Sequence, residues 1–218
     1  MNKRYFATAR TEIFPHLPDS FSRLLDVGCG AGATIAAIRK FRVDDTPLWA
    51  GGVELDEAAA ADADQHCDRI WCGNVEAGSF DSDIEPGSLD VILCLDVLEH
   101  LADPWTMVKR LSPLLAPGGS LIISVPNVRN WKFIWRLFAF ADFHYRDAGL
   151  LDRTHLRFFV RKTAVQLATS GGLCLHHVGS ARPFLPPDIR WLLVKASFGL
   201  LEDLMIKQFV VIAKNNRE

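Results

Sequence analysis

The sequence predicts a doubly wound α/β fold with a mainly parallel, seven-stranded sheet, and three observations carry that prediction. Short apolar, β-rich runs alternate with helical stretches from Arg23 to Val125, the pattern of right-handed crossovers between parallel strands. One run, Leu89 to Leu95, is almost wholly apolar, as expected of a central strand covered on both faces. In the last third the alternation stops and two strand-like runs remain, which predicts an antiparallel hairpin at one sheet edge.

Taken in order, Arg23 to Val27 reads as a strand, followed by a glycine turn and a helix over Ala33 to Phe41. Leu48 to Glu54 is the second strand, with a helix over Glu57 to His66, and Arg69 to Cys72 is a short third strand. After Leu89 to Leu95, Asp103-Pro104 supplies an N-cap and a proline at the first helical position, starting a helix toward Leu111 that Pro113 ends or kinks. Leu121 to Val125 follows a Pro117-Gly118-Gly119 turn. Arg161 to Ser170 reads as a helix closed by Gly171-Gly172. Leu173 to Val178 and Ile206 to Ala213 are the final strands, separated by a turn at Pro183, Pro186 and Pro187 and an amphipathic helix near Ile189 to Leu201. One domain results: a helical lead-in (1–22), a core (23–127), an aromatic helical insertion or lid after the fifth strand (128–160), and a closing helix and hairpin (161–218).

Composition sets the chemistry's boundaries. With 218 residues, 49% hydrophobic and 23% charged, the chain suits one well-buried domain. A net charge of -2 offers no global positive field for a phosphate backbone, which argues against nucleic acid as a partner. MNKRYFATARTEIF has no uninterrupted apolar core of the signal-peptide kind, and no window reaches the roughly 18 apolar residues that span a bilayer. Five cysteines without a C-x-x-C pair read as reduced thiols rather than a disulfide or zinc framework, so a cytoplasmic protein is expected.

The segment Leu24 to Gly32 (LLDVGCGAG) follows a strand and opens a helix. Glycines there let the backbone approach a ligand, and the helix start offers unpaired N–H groups. Glu54 closes the next strand, where a carboxylate can accept both hydroxyls of a ribose. Many nucleotide-binding sheets share these two features. As a set, LLDVGCGAG, GVELD, GNVE, LDVILCLDVLEHL and PGGSLIISVPN resemble, in order and spacing, the class I S-adenosylmethionine-dependent methyltransferases, over Leu24 to about Asn127. The fold this resemblance implies is Rossmann-like. A dinucleotide dehydrogenase more usually shows G-x-G-x-x-G, whereas the last position here is Ala33.

The resemblance implies roles. Asp26, Gly28, Cys29 and Gly30 would surround the methionine part of S-adenosylmethionine, Glu54 would take the ribose hydroxyls, and Leu55 would pack on adenine. Asn74 and Val75 would lie beside the adenine edge, and Leu95 and Asp96 near the aminoacyl end. As plain structural residues, Asp26 and Asn74 would instead cap backbone turns. His100, in the E-H pair, is a candidate catalytic base. The segment DRTHLRFF (Asp152 to Phe159) resembles bacterial methyltransferases found with surface-sugar biosynthesis; it offers His155 as a base oriented by Asp152, and Arg157 to pair with an anionic acceptor. Either histidine also fits a purely structural role.

Between Trp131 and Tyr145, seven aromatic residues are interleaved with Lys132 and Arg136. Three readings stay open: a lid with Tyr145 in the acceptor pocket, a membrane-facing helix, or a homodimer contact. The expected activity is methyl transfer to a small molecule, such as a sugar or a lipid-linked precursor, without a metal. A non-catalytic S-adenosylmethionine-binding module and, more distantly, a nicotinamide-dependent oxidoreductase are the alternatives.

Overall fold

A computed structural model describes residues 8–42, 46–78, 80–182 and 187–217. The start of the expected lead-in (1–7) and the turn residues Pro183 and Pro186 lie outside them. Seven strands form one sheet: β1 (Arg23–Val27), β2 (Trp49–Glu54), β3 (Arg69–Cys72), β4 (Leu89–Leu95), β5 (Leu115–Pro126), β6 (Cys174–Ser180) and β7 (Gln208–Lys214). Their order is β3-β2-β1-β4-β5-β7-β6. Neighbours from β3 to β5 run parallel, and β7 pairs antiparallel with both β5 and β6. The helices are α1 (Ala33–Phe41), α2 (Glu57–Ala63), α3 (Pro104–Leu111), α4 (Trp131–Phe140), α5 (Arg161–Ala168), α6 (Ile189–Ala196) and α7 (Glu202–Met205).

Alternation along the central strands fills both faces. On one face Leu25 and Val27 of β1 and Ile92 and Cys94 of β4 pack with Val108 and Leu111 of α3 and Leu167 of α5. On the other, Leu24 of β1 and Val91, Leu93 and Leu95 of β4 pack with Ile35 and Ile38 of α1. Each fully buried side chain of this size contributes roughly 1.5–3 kcal/mol, which is why the central runs tolerate no polar residue without a partner. The chain winds outward from β1 to β3 and then returns to β4 on the other side of β1. That reversal is a topological switch point at the carboxyl ends of β1 and β4, the place where open α/β sheets bind ligands.

Three expectations change at the edges. β5 begins at Leu115, not Leu121; Leu89 pairs with Leu115 and Val91 with Ser120, so the Pro-Gly-Gly segment is a bulge inside the strand. The returning C-terminus secures it, with Gly118 N–H donating to the Asn215 carbonyl at 2.7 Å and Asn215 N–H to that of Gly119 at 2.9 Å. The lead-in is a 3-10 helix over Thr11–His16, interrupted by Pro15. The expected long helix from Ile189 divides, because Phe198 and Gly199 take φ of +50° and +86°. The expected edge hairpin is present, with β7 between β5 and β6.

Candidate cofactor and methyl-transfer site

The glycine turn and the end of β2 are one hydrogen-bonded unit. Gly28 has φ +74°, and a Cβ there would lie 2.1 Å from Val97 Cγ2, so both conformation and space exclude a side chain. The N–H groups of Gly28 and Cys29 both donate to the Val53 carbonyl, at 2.7 and 3.1 Å. Glu54, 7% exposed, accepts from Gly30 N–H at 2.9 Å on one oxygen and from Leu55 and Asp56 N–H at 2.8 and 2.9 Å on the other. Of the roughly four lone-pair sites of a carboxylate, about one stays open. A diol docking here therefore shares or displaces one of these donors.

Asp26 lies beneath the turn, 2% exposed. Burial first, and the Glu54 charge second, push its carboxyl up to about 7, opposed by Arg10. Between the ordinary value of 3.8 and about 7 the folded chain keeps a proton that the unfolded chain releases. Folding therefore loses stability as pH rises through that window, by an amount on the order of 4 kcal/mol. Asp26→Asn is expected to melt higher than the parent at pH 8, with the gain shrinking toward pH 4; a gain independent of pH in thermal unfolding would contradict the burial argument.

At the end of β4, Asp96 has φ +59°, a conformation uncommon for non-glycine residues and most accessible to aspartate and asparagine. Ser124 Oγ donates to its carboxylate at 3.0 Å, and Gln208 and the Arg10 guanidinium also bind it. Arg10 further pairs with Glu12, and its N–H donates to Thr34 Oγ1 of α1 at 3.2 Å. Sequence reasoning missed Arg10, since an isolated arginine in a lead-in carries no motif.

Past Val97 the chain builds a second cluster. His100 and His155 meet edge to face with ring centroids 4.7 Å apart. His100 Nδ1 lies 3.0 Å from Thr154 Oγ1 and 3.3 Å from the Thr154 carbonyl oxygen. The Thr154 hydroxyl donates to Asp152 Oδ1 at 2.6 Å. With that proton committed, Nδ1 of His100 carries the ring hydrogen and Nε2 keeps the lone pair. Burial, and then His155, hold His100 below the ordinary imidazole range, so it is neutral near pH 7.

The expected Asp152–His155 couple is corrected by this geometry. Asp152 reaches His100 through Thr154, whereas His155 Nδ1 faces the Leu150 carbonyl oxygen at 3.1 Å. Arg157 donates to the carbonyls of Ala102 and Leu156, which position its guanidinium and leave three of its five N–H groups for other acceptors. Asn74 Oδ1 accepts from Glu76 N–H at 2.9 Å, the turn-capping role, while Val75 packs against the core. Leu55 is 69% exposed beside the glycine turn, Leu95 is buried at the end of β4, and Tyr145 is exposed against Phe143.

Sequence reasoning also passed over Glu99 itself. It is 1% exposed, and neither carboxylate oxygen has a hydrogen-bond partner among the described residues. Burial, and then the Asp96 charge, raise it well above the carboxylate range. One donor atom each of Glu99, His100 and His155 lies within 4.8 Å of the others. No helix among the described residues is long and apolar enough to cross a membrane.

Comparison with known proteins places this geometry. The model of a family described as a methyltransferase domain matches residues 2–178. The chain is similar to the ubiquinone biosynthesis O-methyltransferase of Coxiella burnetii (strain Dugway 5J108-111), 30% identical over 158 residues, which cover 70% of this chain and 63% of that protein. The chain thus spans less than two thirds of the length of that relative. Its fold is similar to that of a SAM-dependent methyltransferase from Archaeoglobus fulgidus, with a TM-score of 0.65, 14% identity and coverage of 98% and 95%. It is also similar to that of the [4+2]-cyclase SpnF, with a TM-score of 0.61, 16% identity and coverage of 99% and 82%. A fold hosting a protein named as a cyclase does not by itself specify methyl transfer.

Proposed function

The chain belongs to the methyltransferase-domain family, with S-adenosylmethionine as its cofactor, and from that premise we propose that it moves a methyl group to a small-molecule acceptor at the switch point beside β1 and β4. The observation that carries this reading is Glu54, whose buried carboxylate locks onto the Gly30 N–H at the edge of that switch point. S-adenosylmethionine supplies an already activated methyl group, so the chain's task is positioning and proton removal. Glu54 binds the ribose, and the glycine turn lets the cofactor approach the backbone. His100 Nε2 takes the acceptor's proton, with Thr154 and Asp152 holding the ring. Labelled-methyl transfer against fractionated metabolites, beside calorimetric titration with S-adenosylmethionine, tests the reading. A folded chain with no affinity for the cofactor or its demethylated product ends it. Affinity without transfer to any fraction leaves a binding module.

One observation favours a second reading of the reacting end. The unpartnered Glu99 carboxylate beside two imidazoles has the donor set of a divalent-cation site, in place of the metal-free chemistry expected from sequence. Turnover that survives exhaustive chelation supports the proton-transfer reading; turnover lost to chelation and restored by added cation supports the other.

The aromatic segment divides into two faces. Phe133, Phe143, Tyr145 and Phe158 form a chain of ring contacts, at 5.7, 5.7 and 6.4 Å, that ties α4 to the segment carrying His155 and supports a lid role. Outward, Trp131, Ile134, Trp135 and Phe138 form an exposed i, i+3, i+4, i+7 stripe, and Phe138 is 85% exposed. Ile189, Leu192 and Leu193 of α6 are exposed at the same spacing. These two helices carry Lys132 and Lys195, together with Arg136 and Arg190, which pair with the flanking Asp142 and Asp188, in a chain of net charge -2. That combination supports peripheral contact with an anionic membrane surface. The chain is expected to co-sediment with phosphatidylglycerol vesicles at low salt and much less with phosphatidylcholine vesicles, and Trp135→Glu with Phe138→Glu to abolish the binding. No sedimentation, together with a dimer in solution that these substitutions dissociate, would assign the stripe to a second copy instead.

A further inference from the structure

Two cysteines meet beneath the glycine turn, and methyl transfer uses neither sulfur. Cys29 is buried inside the turn, its Sγ 3.6 Å from the Gly30 carbonyl oxygen. Cys67, after α2, reaches the same point. Gly52 of β2 provides the space: a Cβ there would lie 2.7 Å from Cys29 Sγ and 3.1 Å from Cys67 Sγ. Both sulfurs thus sit over a single missing methyl group.

Their surroundings differ. Cys67 is half-buried and lines an open surface depression with Arg39, Lys40, His66 and Asp68, whereas Cys29 faces the cofactor turn. The neighbouring Cys29 thiol holds the Cys67 thiol below its ordinary range, with Arg39 assisting, while Cys67 and burial push the Cys29 thiol up. Cys67 is accordingly the accessible nucleophile and Cys29 the resolving thiol.

We propose that Cys29 and Cys67 form an oxidative modification site, which a hydroperoxide closes to a disulfide, deforming the glycine turn and releasing the cofactor. The Cys67 thiolate attacks the peroxide O–O bond, giving a sulfenic acid and, after protonation of the leaving oxygen, water. The Cys29 sulfur then displaces the sulfenic hydroxyl as a second water, forming the S–S bond. Two thiols are oxidised by two electrons, and one hydrogen peroxide becomes two waters. Closure draws the sulfurs to about 2.05 Å, well inside hydrogen-bond contact. Closure takes the Cys29 sulfur from its contact with the Gly30 carbonyl, in the residue whose N–H is one of the three donors that Glu54 holds, and we infer that the turn shifts with it.

The inference rests on the cofactor reading, and the test separates the two. The folded chain is treated with excess hydrogen peroxide, mapped by non-reducing peptide mass spectrometry, and titrated with S-adenosylmethionine. The expected results are a Cys29–Cys67 cross-link, affinity weakened at least about tenfold, and recovery with dithiothreitol. Cys67→Ser is expected to bind as the untreated parent does before and after peroxide; Cys67→Ala replaces it if the serine variant misfolds. Absence of the cross-link, a cross-linked chain with unchanged affinity, or equal loss in the variant overturns the proposal. If the reduced chain binds no S-adenosylmethionine, the methyl-donor reading fails, and the cross-link map with melting of the oxidised and reduced chains still decides the thiol pair.

Discussion

Glu54→Gln is expected to weaken S-adenosylmethionine binding by about 100- to 1,000-fold, since hydrogen bonds to a charged group contribute about 1.5–3 kcal/mol each and 1.4 kcal/mol is tenfold. The carboxylate is held by N–H donors on both oxygens, from Gly30 on one and from Leu55 and Asp56 on the other. An amide has one oxygen, so whichever way it turns its NH2 group faces an N–H donor in a buried site. Either Gly30 or the Leu55–Asp56 pair then loses its acceptor before any cofactor arrives, although Gly28 and Cys29 stay bound to the Val53 carbonyl, and a ribose loses its charged acceptor as well. Glu54→Asp keeps the charge but shortens the reach, so it is expected to bind with intermediate affinity. Calorimetric titration reads the affinity, and circular dichroism establishes that the variant is folded. A folded Glu54→Gln variant binding within threefold of the parent would remove Glu54 from the cofactor site.

The parts of this site that were legible in the sequence are those whose chemistry is local. A glycine pair after an apolar run, and a carboxylate closing the next run, mark Gly28, Gly30 and Glu54, because sheet topology places consecutive β-α turns side by side. Asp103-Pro104 and Gly171-Gly172 mark helix ends for the same reason: a cap is decided within one turn of chain. What long-range contact decides stayed hidden. Arg10 finds Asp96 across 86 residues, and Thr154 interposes itself between Asp152 and His100 across 54. The Pro117 to Gly119 segment reads as a turn until Asn215 returns to hydrogen-bond it. His155 was paired with Asp152 because they are neighbours in sequence, but the turn from Leu150 directs that imidazole at a carbonyl instead.

That rearranged cluster gives a sharp kinetic expectation. His100→Asn is expected to lower kcat by about 10²- to 10⁴-fold, the usual contribution of a positioned base, while leaving the affinity for S-adenosylmethionine within about twofold. Asparagine can still donate to Thr154, so the ring's anchor is imitated and only the Nε2 lone pair is removed. The pH profile separates a base from a packing residue. A base works when deprotonated, and burial with His155 holds His100 below the ordinary 6.5. The parent's kcat/KM should therefore be flat near pH 7 and fall only on the acid side, through that lowered value. In the His100→Asn variant this acid limb should vanish along with most of the rate. Thr154→Val breaks the contact between Asp152 and His100 and is expected to cost about tenfold, with the acid limb retained but displaced. His155→Ala removes a ring neighbour rather than the base, so its loss should be smaller than that of His100→Asn, and its acid limb should move upward as a repulsive partner disappears. Full turnover in His100→Asn, or an acid limb unchanged by it, would transfer the base to another group, and the protonated Glu99 carboxyl would then be the next to substitute.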